Sequence, residues 1–302
     1  MRSIILLIIC IAITHVVSAQ QDPLYGLYPN NPIAINPAYA GLNNNLTIYS
    51  TYRKQWGDFA GSPLTMNAGA HASIWQNRLS AGLMIVSDRI GENINTQTTA
   101  QVGYKIPLDS KGTILSFGLQ GGMINYRSNT DQLTIRDGGD KAFASFRITE
   151  PTLGAGMMVK GDKFLFGVSI PRLVNGAIRV GDERISVYQQ HFYITGSYLF
   201  HMSERLVLKP STLLKVVKGA PLSADVNVMA ILDRNYGAGI LIRNLNTVGL
   251  MLQLAFFDKY RLAYVMEIPT GRSIGSNYTT HELMLSMRLR VLNGHDYSQS
   301  NF

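Results

Sequence analysis

The sequence predicts an all-β fold, a transmembrane antiparallel β-barrel of about 14 strands with a short periplasmic N-terminal segment. Three observations carry this prediction. The chain opens with an export leader, the remainder breaks into segments of roughly 9 to 13 residues with period-two alternation, and the connections between segments are alternately tight and long. The composition agrees. Of 302 residues, 46% are hydrophobic and only 15% are charged, which excludes a disordered chain. Past the leader no stretch approaches the ~20 continuous apolar residues of a helical span, which excludes a helical membrane protein.

Residues 1–19 read as a cleaved signal peptide: Arg2, an apolar run from Ile4 to Ile13, and the small-residue site Val17-Ser18-Ala19. The one cysteine, Cys10, falls inside it. The mature chain, beginning near Gln20, therefore holds neither a disulfide nor a thiolate metal site. Lipidation at Cys10 is disfavoured by the bulky Ile9 before it and by the apolar run continuing past it. The net charge is +8, from 27 basic and 19 acidic residues scattered along the chain. For an exported protein without a basic cluster, no nucleic-acid partner is expected. Residues 20–45, polar and rich in proline and asparagine, are expected to form a periplasmic N-terminal segment or a plug. The barrel takes residues 46–292 and leaves a C-terminal tail at 293–302.

The fourteen segments fall at approximately 46–56, 63–75, 78–88, 94–107, 112–127, 150–160, 162–170, 189–201, 204–217, 222–233, 235–244, 246–257, 259–268 and 281–291. Late in the chain the alternation is cleanest. Val248, Leu250, Leu252, Leu254 and Phe256 share one face, as do Tyr260, Leu262, Tyr264, Met266 and Ile268, then Leu283, Leu285, Met287 and Leu289. These faces are expected to meet lipid. The opposite face carries Lys209, Ser211, Lys215, Asp225, Asn227, Arg243, Arg261, Glu267, Arg288 and Arg290, a polar interior with both charge signs. A soluble sandwich alternates too. The leader, the aromatic segment ends (Tyr198, Phe200, Phe256, Phe257, Tyr260) and the connection lengths favour the barrel. Tight connections such as Gln76-Asn77, Gly161, Asp233-Arg234 and Asp258 follow even-numbered segments, whereas about 128–149, 171–188 and 269–280 follow odd-numbered ones. Short periplasmic turns and longer outer loops give that pattern when the strand number is even. A barrel of this size has a lumen that is narrow or partly plugged.

Chemistry-bearing motifs are sparse. The histidines His15, His71, His191, His201, His281 and His295 form no metal-ligand spacing, and no cofactor is expected. Gly118–Gly122 and Gly154–Gly156 lie within strands, where glycine serves close packing or curvature. Asp137-Gly138-Gly139-Asp140 reads as a loop-tip turn. Ser197 with His191 or His281 is the one combination from which a barrel-wall hydrolase could be built, and nothing places a base beside the nucleophile. His281-Glu282 reads as a solvated strand end. The chain is expected not to be an enzyme.

Asn36-Pro37-Ala38-Tyr39-Ala40-Gly41, preceded by Tyr28-Pro29-Asn30-Asn31-Pro32 and followed by Tyr52-Arg53-Lys54-Gln55-Trp56 and Gly61-Ser62-Pro63, resembles the opening of the PorP/SprF family. The resemblance continues through Leu79–Leu83, Asp88–Gly91, Leu115–Leu119, Lys209-Pro210-Ser211 and His281-Glu282-Leu283, over essentially the whole mature chain. Two departures stand out: Thr279-Thr280 replaces the usual Gly-Ser before His-Glu, and the chain runs on from Asn293 to Phe302. The run-on displaces the terminal aromatic that assembly machinery reads on many barrels.

The resemblance implies a non-enzymatic outer-membrane component of the type IX secretion system. Its partners would be a large secreted surface protein with a type IX C-terminal domain, periplasmic ring or motor components, and outer-membrane lipid. It would support secretion and surface anchoring of an adhesin-like cargo, with a link to gliding motility. Carried onto this chain, the candidate recognition residues are Asn36, Pro37, Tyr39, Gly41, Tyr52, Arg53, Gln55 and Trp56. A physical reading stands beside it: Pro37 and Gly41 shape the turn into the first strand, and Tyr39 and Trp56 anchor at the bilayer interface. The two long loops add Arg136, Asp140, Phe143, Phe146, Arg184 and Tyr188, a composition suited to protein contact. A channel or hydrophobic-solute transporter is the alternative.

Overall fold

The computed structural model describes residues 25–57, 59–129, 145–174, 177–180, 183–186, 189–271, 278–292 and 295; of 177–180 and 183–186 it describes the backbone alone. The strands are β1 (Leu46–Lys54), β2 (Leu64–Ile74), β3 (Leu79–Ile90), β4 (Asn93–Pro107), β5 (Ile114–Ser128), β6 (Phe146–Lys160), β7 (Phe164–Ile170), β8 (Ala177–Val180), β9 (Glu183–Ser186), β10 (His191–Tyr198), β11 (Phe200–His201), β12 (Leu206–Val217), β13 (Ser223–Leu232), β14 (Tyr236–Arg243), β15 (Thr247–Phe256), β16 (Tyr260–Pro269) and β17 (Thr280–Leu289). Every pairing is antiparallel, and apart from the β8–β9 hairpin and the split strand β10/β11, sequence neighbours pair with one another. Closure comes from β1 against β17 and from β10, which bridges β7 and β12. β8 and β9 make a separate hairpin, and β10 and β11 are two stretches of one wall strand against β12. The wall is thus a closed up-and-down barrel of fourteen strands.

Each expected segment coincides with one wall strand. The largest shift is at β6, which begins at Phe146 rather than near 150 and takes residues assigned above to the long loop. The stretch 171–188, read above as a loop, contains the β8–β9 hairpin.

The alternation places its two faces as the period of two requires. Leu252 is 55% exposed and its neighbour Gln253 7%, so the apolar side chains of β15 point out and the polar ones in. Of the expected inward set, Lys209, Lys215, Asp225, Arg243, Arg261 and Glu267 are buried, whereas Arg290, past the end of β17, is exposed. Tight turns use two consecutive left-handed residues, as at Gln76-Asn77 (φ 56° and 58°), Asp233-Arg234 (φ 50° and 62°) and Phe257-Asp258 (φ 52° and 54°), the backbone twist that suits a two-residue hairpin. These turns lie at the end where β1 begins and β17 finishes, since Leu46 pairs with Leu289. The longest connections, 129–145, 171–190 and 270–279, leave from the other end. That end is the outer one, because outer-membrane barrels put short turns in the periplasm and long loops outside. Aromatic pairs Tyr198–Phe200 (4.6 Å) and Phe256–Tyr260 (5.4 Å) mark the inner rim.

The apolar core is inside the barrel. Leu27, Ile33, Ala38, Tyr39, Ala40 and Leu42 cluster with wall residues from β1, β6, β7 and β12 through β17. Residues 25–45 therefore occupy the lumen, folded as two single-turn 3-10 helices, Pro32–Ala34 and Pro37–Tyr39. Asn36 caps the second, its side chain accepting from the Ala38 amide at 2.9 Å, with Pro37 at the first helical position, where its missing N–H costs nothing.

Candidate functional site: the lumen and its amino-terminal segment

The lumenal segment is held at three levels. At the outer level five charged side chains form one network. Arg53, one residue from the end of β1, donates to Glu267 (2.9 Å to each carboxylate oxygen) and to Glu282 (3.0 Å). Arg243, the last residue of β14, donates to Glu267 Oε2, which Arg53 also contacts, at 2.9 Å and to Asp225 at 2.8 Å. The wall sets these neighbours: Arg53 is registered opposite Glu282, and Arg243 opposite Asp225. The network grips the segment through its backbone. Glu282 accepts from the Gly26 amide at 2.7 Å and from the Leu27 amide at 3.4 Å, and Arg243 donates to the Tyr25 carbonyl at 3.3 Å. A Cβ at position 26 would fall on Glu267 Oε1 and lie 2.9 Å from Val265 Cγ1, so any larger residue there must displace the carboxylate that both arginines hold.

At the middle level, Asn227 donates to the Tyr28 hydroxyl at 2.8 Å and Asn30 to Gln253 at 2.6 Å. Across the lumen Asn36 Nδ2 donates to the carbonyls of Met157 and Val168 (3.2 and 3.1 Å), bridging β6 and β7. Ser169 and Ser116 donate to the Ile35 and Ala38 carbonyls (2.6 and 2.7 Å). Gly118 and Gly156 permit this approach, because a side chain at either would collide with Ala38 or Asn36.

At the inner level Lys105 Nζ donates to Gly41 O (2.7 Å), Asn44 Oδ1 (2.6 Å) and Ser73 Oγ (2.9 Å). Gly41 has φ +60°, its amide donates to His71 Nδ1 at 3.0 Å, and an added Cβ would meet Ala72 O at 2.6 Å. From beyond β17, His295 reaches back to the Ser73 carbonyl at 2.7 Å. The amides of Gly26, Leu27, Ala38 and Gly41 and the carbonyls of Tyr25, Ile35, Ala38 and Gly41 thus find side-chain partners inside the barrel, as buried backbone requires.

The candidate recognition residues divide accordingly. Asn36, Pro37, Tyr39, Gly41 and Arg53 are buried in the lumen, where Asn36, Gly41 and Arg53 bond to wall residues. Tyr39 does not sit at the bilayer interface; it packs edge-on against His71 at 5.8 Å, and Asn43 donates to its hydroxyl. Tyr52 is exposed on the lipid-facing side of β1. Gln55 and Trp56 are half-buried just past β1, where the Trp56 amide donates to Thr280 Oγ1 at 3.3 Å. Arg136, Asp140, Phe143 and Tyr188 lie outside the described residues, as does the side chain of Arg184, whose backbone belongs to β9. Phe146 opens β6 and is exposed.

Glu282 is not a solvated strand end but a buried member of the outer network. Ser197 donates to Ser211 at 2.9 Å, while His281 contacts Tyr264 and Thr279, so neither histidine is brought to that serine. The sequence placed Asp225, Arg243 and Glu267 on the inner face but gave no sign that they meet Arg53 and Gly26. Lys105 was missed altogether; its signal was an inward cation close to an inner turn.

Among solved structures the fold is similar to the Acinetobacter baumannii outer membrane protein Omp33, at 10% identity and TM-score 0.45 over 82% of this chain and 100% of that one. It is also similar to a deltaS2S3 mutant of the monoaromatic hydrocarbon channel TodX (11%, TM-score 0.47, 86% and 94%) and to the monoaromatic hydrocarbon channel CymD (9%, TM-score 0.46, 89% and 93%). No curated protein matches the chain. Residues 17–287 match the family of type IX secretion system membrane proteins PorP/SprF. That match begins before the lumenal segment and ends within β17, so it takes in both the barrel and what fills it, and the chain belongs to the PorP/SprF family of type IX secretion system membrane proteins.

Proposed function

We propose that the protein is a non-enzymatic partner barrel that supports secretion of a large adhesin-like protein with a type IX C-terminal domain and holds it at the cell surface. It is exported by cleavage after Ala19, works with periplasmic ring or motor parts of the same system, and contributes to gliding. One observation carries the reading: the lumen is occupied by the chain's own residues 25–45, bonded to the wall at three levels. A barrel filled in this way is a scaffold, and the groups left to meet a partner are those at its ends. The outer end carries the longest connections, which a rigid scaffold positions for contact.

Shortening those connections tests the reading, because loop-closure cost changes slowly with length. Since β6 begins at Phe146, the deletion is confined to residues 130–144. The expected outcome is normal barrel abundance in the outer membrane with the large partner lost from the surface. If the surface proteome is unchanged when the whole protein is removed, and uptake of a small solute changes instead, the channel alternative takes its place.

A further inference from the structure

The direction of the lumenal segment has a consequence independent of any cargo. β1 begins at the inner end, and Gly41 to Asn44, just before it, are fixed there by Lys105, three residues from the inner end of β4, and by Ser73, next to the last residue of β2. Tyr25 to Leu27 are fixed at the opposite end. Every group that holds them stands within three residues of the outer end of its strand: Arg243 closes β14, Asp225 is the third residue of β13, Glu282 the third of β17, and Glu267 the third from the end of β16. Exposure follows the same direction: Leu27 is fully buried, whereas Tyr25 is half-buried and lines an outer-end cleft with Tyr193, Lys215, Ser223 and Asp225. The segment thus crosses the lumen from the outer mouth to the inner end before the chain turns back as the first wall strand.

We propose that the lumenal segment runs outward through the protein's own barrel, so that its Tyr25 end opens at the cell-surface mouth rather than into the periplasm. The Glu282–Arg53–Glu267–Arg243–Asp225 network is the clamp that keeps it there. Its grip on main-chain amides and a carbonyl fixes the position and direction of the chain whatever the flanking side chains, while the side-chain-free space at Gly26 fixes the register.

Single-cysteine labelling of intact cells tests this, and the sequence is suited to it, because Cys10 is the chain's one cysteine and Cys10→Ser removes it. A Gly-Cys-Gly insertion immediately before Tyr25 is compared with two references, Leu245→Cys in an outer turn (89% exposed) and Phe257→Cys in an inner turn (81% exposed). A membrane-impermeant maleimide is expected to label the insertion and Leu245→Cys on intact cells, and Phe257→Cys only after the outer membrane is permeabilised. Labelling of the insertion only after permeabilisation, together with Phe257→Cys, overturns the proposal. So does labelling of Phe257→Cys but not Leu245→Cys on intact cells, which reverses the two ends. Should the insertion fail to give heat-modifiable folded barrel, Tyr25→Cys reads the same mouth. Display of the cargo is not part of the readout, so failure here leaves the secretion reading standing.

Discussion

The two ends of the lumenal segment are held by opposite chemistry. At the outer end two guanidinium groups and three carboxylates answer one another, and the segment is bound by charges that are already paired. At the inner end the Lys105 ammonium gathers three neutral oxygens, Lys160 donates to Asn43 Oδ1 at 2.7 Å, and the turn they stabilise is fixed by the left-handed Gly41. The outer arrangement is sensitive to the loss of any member, because a buried charge left without its partner is far costlier than a neutral group left without a donor. The inner arrangement degrades more gently. Stability and grip are therefore concentrated where the segment meets the mouth.

The sharpest test of that contrast removes the carboxylate shared by both arginines. Glu267→Ala strips three charge-assisted hydrogen bonds at once, leaving Arg53 paired with Glu282 alone and Arg243 paired with Asp225 alone, and is expected to cost about 3–5 kcal/mol, read as a shift in the urea midpoint of the folded barrel. A wall substitution remote from both ends supplies the scale. Leu252→Arg, pointing into lipid, is expected to cost about 2–4 kcal/mol, and the inward Gln253→Arg much less. Equal losses for the two would mean that the register is one residue out. The smallest effect belongs to the inner end: Lys105→Met keeps the apolar stem, strips the donor from Gly41 O, Asn44 Oδ1 and Ser73 Oγ, and is expected to cost about 1–3 kcal/mol. Combined with Glu267→Ala it should add to within ~0.5 kcal/mol, since the two sites share no partner. A larger coupling would show that the segment transmits strain from one mouth to the other, and a Lys105→Met loss exceeding that of Glu267→Ala would invert the ranking.

What the sequence disclosed and what it hid follow from the range of the interactions. The wall was legible because the code of a strand is local: Leu252 and Gln253 differ in face by virtue of adjacency alone. Asn36-Pro37 was legible as a turn for the same reason. The clamp was not, because Arg53 meets a glutamate 214 residues away and Gly26 one 256 residues away. Glu282 follows two threonines and a histidine, which by themselves describe a wet strand end; only the closed barrel brings Arg53 and the Gly26 amide to it. Tyr39 has the residue type of an interfacial anchor, and its burial depends on a segment that turns inward. The start of β6 was misjudged because Phe146 to Thr149, although they alternate, are only four residues beside a long connection, too short a run to separate strand from loop.

The pairing of Arg53 with Glu282 joins the first wall strand to the last, and the same carboxylate holds the Gly26 amide. A barrel zipped shut while empty would close over a glutamate short of a donor and around a bare cluster of inward apolar side chains. Closing around the threaded chain satisfies both at once. One side chain, Glu282, thereby ties closure of the wall to the presence of what fills it.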